Sequence, residues 1–419
     1  MGLDIRGWLR RVGPGLVSGA SNDDPSAIVT YVRAGAAFGY GTLWAVLLLF
    51  PMMATAMFLC GKLALTSGRG LAGVLREHYG PAVLRPILAL LVIANVINAG
   101  ADIGAIAEGL ALLAPVSPKL LVPLVALALF AAQAWCSYRV IANVFRWLAL
   151  TLLAYVGAGI LAHPDAADVL RQTFVPRLHG GSEYLAVLVA MVGTALSPYL
   201  MFWQSTQRVE EEVARGHASV AERRQAGRGR LRHTWADVLS GSLLASVAIY
   251  FVILASGATL HARGQGEVSG AAEAARALEP VAGRAAAALF AAAFIGAGVL
   301  AVPVLVSGAA YALAEALRLR RGLTRAPSEA RRFYATIAGL MLVATALNYA
   351  GLGTFRLLFA AAVINGLLAP PLLALVLHAT GRADVVGART NGPALKLLGG
   401  ATVLASFAAA AGLVASWLL

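Results

Sequence analysis

Gly19-Ala20-Ser21-Asn22-Asp23-Asp24-Pro25-Ser26-Ala27 lies in the middle of an apolar run covering roughly residues 12–37. A run of that length is enough to cross a hydrocarbon core of about 30 Å, which takes about 20 helical residues. Two carboxylates and a proline stand at its centre. Charges at mid-membrane are expensive and mark function by default. Proline removes an intrahelical hydrogen bond and pushes its neighbour out of helical geometry. The first span is therefore expected to be two half-helices, broken around Asp23-Asp24-Pro25, with the break forming a substrate site.

The rest of the chain has the same membrane character. Of its 419 residues, 59% are hydrophobic and 13% charged, where soluble domains carry about 25% charged. Eleven spans are expected, at roughly 12–37, 41–66, 83–113, 119–137, 139–162, 183–208, 234–261, 284–317, 332–349, 352–379 and 395–418. The net charge of +13 is distributed by topology and does not call for nucleic acid. With the N-terminus inside, 25 Lys and Arg fall on the cytoplasmic side and 8 on the other, as the positive-inside rule requires. The richest stretches are Arg208 to Arg232 and Arg318 to Arg332. The location expected is a bacterial inner membrane, multi-pass, with a cytoplasmic N-terminus. A cleaved signal peptide is not expected, because the first apolar run carries Asp23 and Asp24. Cys60 and Cys136 both fall in spans and read as packing residues.

A second break matches the first. The sixth span reads Gly193-Thr194-Ala195-Leu196-Ser197-Pro198-Tyr199, again a mid-span proline among small and polar residues. Breaks in spans one and six, five apart, are the signature of an inverted five-plus-five repeat with its binding site between the broken helices. The expected fold is an all-α integral membrane protein of the amino-acid-transporter-like type. Residues 1–419 form one transmembrane domain, with repeat one over about 12–162, repeat two over about 183–379 and an added helix at about 395–418.

The donors at the breaks are carboxylate, hydroxyl and carbonyl oxygens, without Met, Cys or His. Such sites suit Mg²⁺, Ca²⁺ and Mn²⁺. Asp24 is the expected anchor because it directly precedes the proline. Asp23 and Ser26 flank it, Ser197 and Tyr199 stand opposite with the carbonyls near Thr194, and Asn365 on the tenth span is an outer donor. On the third span, Asn95, Asn98, Asp102 and Glu108 are polar, and Asn98 and Asp102 share a face. Asp102 is the candidate for a proton or ion pathway. Asp237 and Glu315 lie near span ends and read as structural partners of basic loops. Gly15 with Gly19, and Gly100 with Gly104, have the spacing of close helix contacts.

Gly13-Pro14-Gly15, Asp24-Pro25-Ser26-Ala27, Ala34-Gly35-Ala36, Gly39-Tyr40 and Leu43-Trp44 resemble the first two helices of NRAMP metal transporters. There the break reads Asp-Pro-Gly-Asn, followed by Gln-Ala-Gly-Ala and Gly-Tyr. Thr66-Ser67-Gly68-Arg69-Gly70-Leu71, Ala101-Asp102 and Leu289 to Leu317 also resemble family segments, in order over nearly the whole chain. The resemblance implies a metal site of the Asp24 side chain with the Ser21 and Thr194 carbonyls. It also marks departures. Ala27 stands where the family has Asn, and Ser197-Pro198-Tyr199 where it has Met-Pro-His. Ala105 replaces a Glu and Ala362 a Gln. A divergent member, similar to the NRAMP-related magnesium transporters, is implied.

The leading expectation is thus alternating-access transport of a hard divalent cation into the cytoplasm, with Mg²⁺ the first choice. The alternative is a proton-coupled Mn²⁺/Fe²⁺ importer. A sodium-coupled symporter of organic solutes ranks third. No His-Glu-x-x-His, Gly-x-Ser-x-Gly or phosphate-loop motif is present, which argues against an enzyme or an ATP-driven pump. No cofactor is expected beyond the transported ion. The partners are that ion, the bilayer and, in the coupled reading, protons. A monomer is the working expectation.

Overall fold

The computed structural model describes residues 24–135, 154–217, 219–227, 230–317 and 328–418. Among these the regular structure is helical, without strand. The half of the first span before Asp24, with Ser21, Asp23, Gly15 and Gly19, lies outside the described residues, as does Cys136.

Helix α1 (Pro25–Phe38) starts at the proline, with Asp24 in extended geometry as its N-cap. Proline at the first helical position costs nothing, since its missing N–H has no partner there. Helix α2 (Leu43–Ser67) runs unbroken through Pro51 and ends at Gly68, whose φ of +68° is a left-handed cap. A short α3 (Leu71–His78) leads into α4 (Gly80–Leu113). At 34 residues α4 is roughly 50 Å long, more than a membrane core requires. Helix α5 (Pro118–Trp135) follows. Residues 154–161 are helical at the end of the fifth expected span, and α6 (Ala166–Phe174) lies in the connection after it.

The sixth span divides as its sequence predicts. Helix α7 (Ser182–Ala195) stops, Leu196 and Ser197 leave helical geometry, and α8 (Pro198–Ala214) restarts at the proline. After α9 (Val220–Gly227) come the long helices α10 (Leu231–Thr259), α11 (Ala286–Ala316), α12 (Arg331–Leu347), α13 (Thr354–Gly381) and α14 (Pro393–Leu418). Seven stretches among the described residues are long and apolar enough to cross a membrane, with Pro118–Ala134 a shorter apolar helix. Leucines such as Leu120, Leu124, Leu127, Leu342, Leu397 and Leu404 project outward, leaving an apolar surface suited to lipid contact.

Close backbone contacts place the broken helices. A Cβ on Gly193 would lie 2.1 Å from the Ala362 carbonyl, and one on Gly366 would lie 2.1 Å from the Val189 carbonyl. Helices α7 and α13 therefore touch main chain to main chain just before the break. The Gly100 and Gly104 pair packs α4 on α12, against the Ala344 carbonyl and Asn348, the close contact its spacing predicts.

Polar residues at the helix ends pair locally. Arg208 on α8 bonds Asp237 on α10 at 2.5 Å, the structural pairing expected of Asp237. Buried Glu212 meets Arg215 at 3.3 Å, His217 at 2.9 Å and also Arg230. The Glu315 carboxylate lies against Gly70 and Gly73, and its carbonyl accepts from Arg76. Lys62 donates to Asn391 at 2.6 Å, tying α2 to the connection before α14.

Candidate metal site

Asp24 is buried where α1, α4 and α8 meet, and its two oxygens have different surroundings. Oδ1 serves the helix start: it accepts from the Ala27 amide at 2.8 Å and from Ser26 Oγ at 2.6 Å. These bonds satisfy an amide that a helix N-terminus otherwise leaves unpaired. Oδ2 faces other helices. It accepts from Tyr199 Oη of α8 at 3.1 Å and from Asn98 Nδ2 of α4 at 3.2 Å. One carboxylate thus gathers four donors from three elements, filling the four sites its oxygens offer.

The two breaks are also joined by hydroxyls. Tyr31 Oη on α1 lies 2.8 Å from Thr194 Oγ1 on the last turn of α7. Ser197 Oγ donates back to the Gly193 and Thr194 carbonyls at 2.9 and 2.8 Å, so it closes the end of α7 while its lone pairs remain available. The last carbonyls of α7 carry the negative end of that helix's dipole, a setting that favours cations.

One turn beyond Asn98 on α4, Asp102 is fully buried, and neither carboxyl oxygen has a hydrogen-bond partner among the described residues. The Oδ1 atoms of Asn98 and Asn365 are likewise buried and unpartnered there. Asn95, on the same helix, turns away and donates to the Leu305 carbonyl at 2.9 Å. The described residues hold no group of three or more His, Cys, Asp or Glu able to bind a metal. Any cation taken here meets one or two carboxylates with hydroxyl, amide and main-chain oxygens.

Of the residues singled out from sequence, Asp24, Ser26 and Tyr199 meet directly, and Thr194 and Ser197 form the facing end of α7. Ser26 acts as part of the helix cap. The Asn365 side-chain oxygen has no hydrogen-bond partner among the described residues, and Ser21 and Asp23 lie outside them. Two residues of the site were not paired with Asp24 from sequence. Asn98 carried a signal in its shared face with Asp102, whereas Tyr31 carried none beyond being an aromatic residue in a span.

Comparison with known proteins places the chain in a family. The family model described as natural resistance-associated macrophage protein-like, Nramp, matches residues 15–416. The chain is 28% identical over 420 residues to the divalent metal cation transporter MntH of Acidiphilium cryptum, covering 95% of this chain and 89% of that protein. It is 24% identical over 400 residues to the protein of the same name from Granulibacter bethesdensis, covering 92% and 84%. Among solved structures it is similar to a manganese transporter of Eremococcus coleocola, with a TM-score of 0.75 at 19% identity, over 100% of this chain and 90% of that one. That likeness fixes the fold as the inverted-repeat, broken-helix type. The relatives are transporters rather than enzymes, and with the family model matching from residue 15 to residue 416, this chain belongs to the Nramp family.

Proposed function

We propose that this protein carries a divalent metal cation across a bacterial inner membrane into the cytoplasm by alternating access, with the Asp24 carboxylate as the anchor. The carrying observation is a buried carboxylate at a half-helix start, ringed by oxygen and amide groups from α4 and α8. Rocking of the broken-helix bundle would open Asp24 and the Ser197 turn to one side and then the other.

Mn²⁺ is the leading substrate, on the support of relatives named for divalent metal and manganese transport. Mg²⁺, first choice on sequence alone, becomes the second reading. It is favoured by one observation: the side chains meeting at Asp24 offer oxygen and amide donors and no thioether, which filters weakly against hard ions. Asp102, buried one turn from Asn98, is the proposed proton site if transport is coupled. Uptake of Mn²⁺ into proteoliposomes carrying an internal pH dye, with Mg²⁺ added in excess, separates the readings. Uptake that survives a hundredfold Mg²⁺ excess, with acidification, supports a coupled Mn²⁺ carrier. Suppression without acidification supports the Mg²⁺ reading.

A further inference from the structure

We propose that Asn98 is a direct ligand of the transported cation through its side-chain oxygen Oδ1. This rests on the cation reading of the Asp24 site and adds a residue to it. Asp24 Oδ1 is committed to the start of α1 by Ser26 and the Ala27 amide. Oδ2 is therefore the oxygen that a cation approaches, and its neighbours are the Asn98 amide at 3.2 Å and Tyr199 Oη at 3.1 Å. Adjacent oxygens around an octahedral ion with metal–oxygen bonds of about 2.1 Å stand roughly 3.0 Å apart. The amide end of Asn98 already sits at that spacing from Oδ2.

The orientation of the amide is the informative part. Asn98 is fully buried, Nδ2 faces the carboxylate, and Oδ1 has no hydrogen-bond partner among the described residues. An N–H pointing at a cation is repelled. A half-turn of the amide exchanges the two atoms and brings Oδ1 to the ion, giving that oxygen a partner at no cost in space. Ala27 has no side-chain donor, so an amide oxygen reaches this ion from α4 and not from α1. Tyr199 needs only a rotation of its O–H to offer a lone pair.

The experiment is titration calorimetry of the full-length detergent-solubilised protein with Mn²⁺ and with Cd²⁺, for wild type, Asn98→Cys and Asn98→Asp. The wild type, which carries Cys60 and Cys136, is the Cd²⁺ reference. A thiol in the ligand shell favours the softer ion. Asn98→Cys is expected to lose about tenfold in Mn²⁺ affinity while its Cd²⁺-to-Mn²⁺ preference rises by about tenfold or more. Loss of both ions in equal proportion, or no change in either, overturns the assignment and leaves Asn98 a prop for Asp24. If Asn98→Cys gives no melting transition, Asn98→Asp decides: tighter Mn²⁺ binding supports ligation, and unchanged or weaker binding overturns it. Wild type that binds neither ion overturns the functional reading, and this inference with it.

Discussion

The two oxygens of Asp24 have different surroundings, and single substitutions separate the cap from the proposed ion site. Removing the side chain as Asp24→Ala should cost about 1 kcal/mol through loss of the α1 cap as well as the ion. Asparagine caps a helix nearly as well as aspartate, so Asp24→Asn should melt close to wild type yet fail to bind Mn²⁺. Thermal unfolding of the two variants in detergent, beside calorimetry, checks this; equal destabilisation would show that the cap is not what Oδ1 supports. Asp24 was legible in the sequence because a charge at mid-membrane stands out against its surroundings. Tyr199 was legible through the proline before it. The partners of Asn98 and Tyr31 were not, because neither residue stands beside a proline or a mid-span charge that would tie it to a break. Helix periodicity gives the face on which Asn98 lies but not which helix that face meets.

Helix breaks depend on more than proline. Pro51, Pro86, Pro123, Pro303, Pro370 and Pro371 all lie inside continuous helices. What distinguishes the two sites is a short oxygen-bearing side chain before the proline: Asp24 caps α1, and Ser197 closes α7 onto its own carbonyls, whereas Arg85 before Pro86 leaves α4 continuous. The break at Ser197-Pro198 and the helix start at Pro25 were legible from a mid-span proline among small and polar residues. The rotation of α7 against α13 was not, since Gly193 and Gly366 have no side chain to announce the contact. Their packing leaves no room for a methyl group, so Gly193→Val should destabilise the protein by about 1–3 kcal/mol, the usual range for overpacking. It should also misplace the Thr194 carbonyl. The melting temperature and the Mn²⁺ affinity of that variant should fall together. A stable variant with normal affinity would show that α7 has slack at this contact.

For the whole molecule, the order of the described helices was legible from the apolar runs, because run length is set by the bilayer. The asymmetry of basic residues predicts the orientation. The connection around Arg223 and Arg224 should face the cytoplasm, and the one between α6 and α7 the opposite side. With Cys60 and Cys136 replaced, Gln225→Cys should resist a membrane-impermeant maleimide in intact cells and react after lysis. Gly180→Cys should react in intact cells; the reverse pattern would invert the topology. The paired ion clusters at Arg208 and Glu212 and the Lys62–Asn391 tie hold helix ends around the broken pair, and Asp24 is the anchor proposed for transport. The most direct test is therefore Mn²⁺ flux into proteoliposomes containing wild type or Asp24→Asn at equal protein density. The wild type should load the vesicles with Mn²⁺, and Asp24→Asn should fall to the rate of protein-free vesicles. Equal flux through the two proteins would contradict the account.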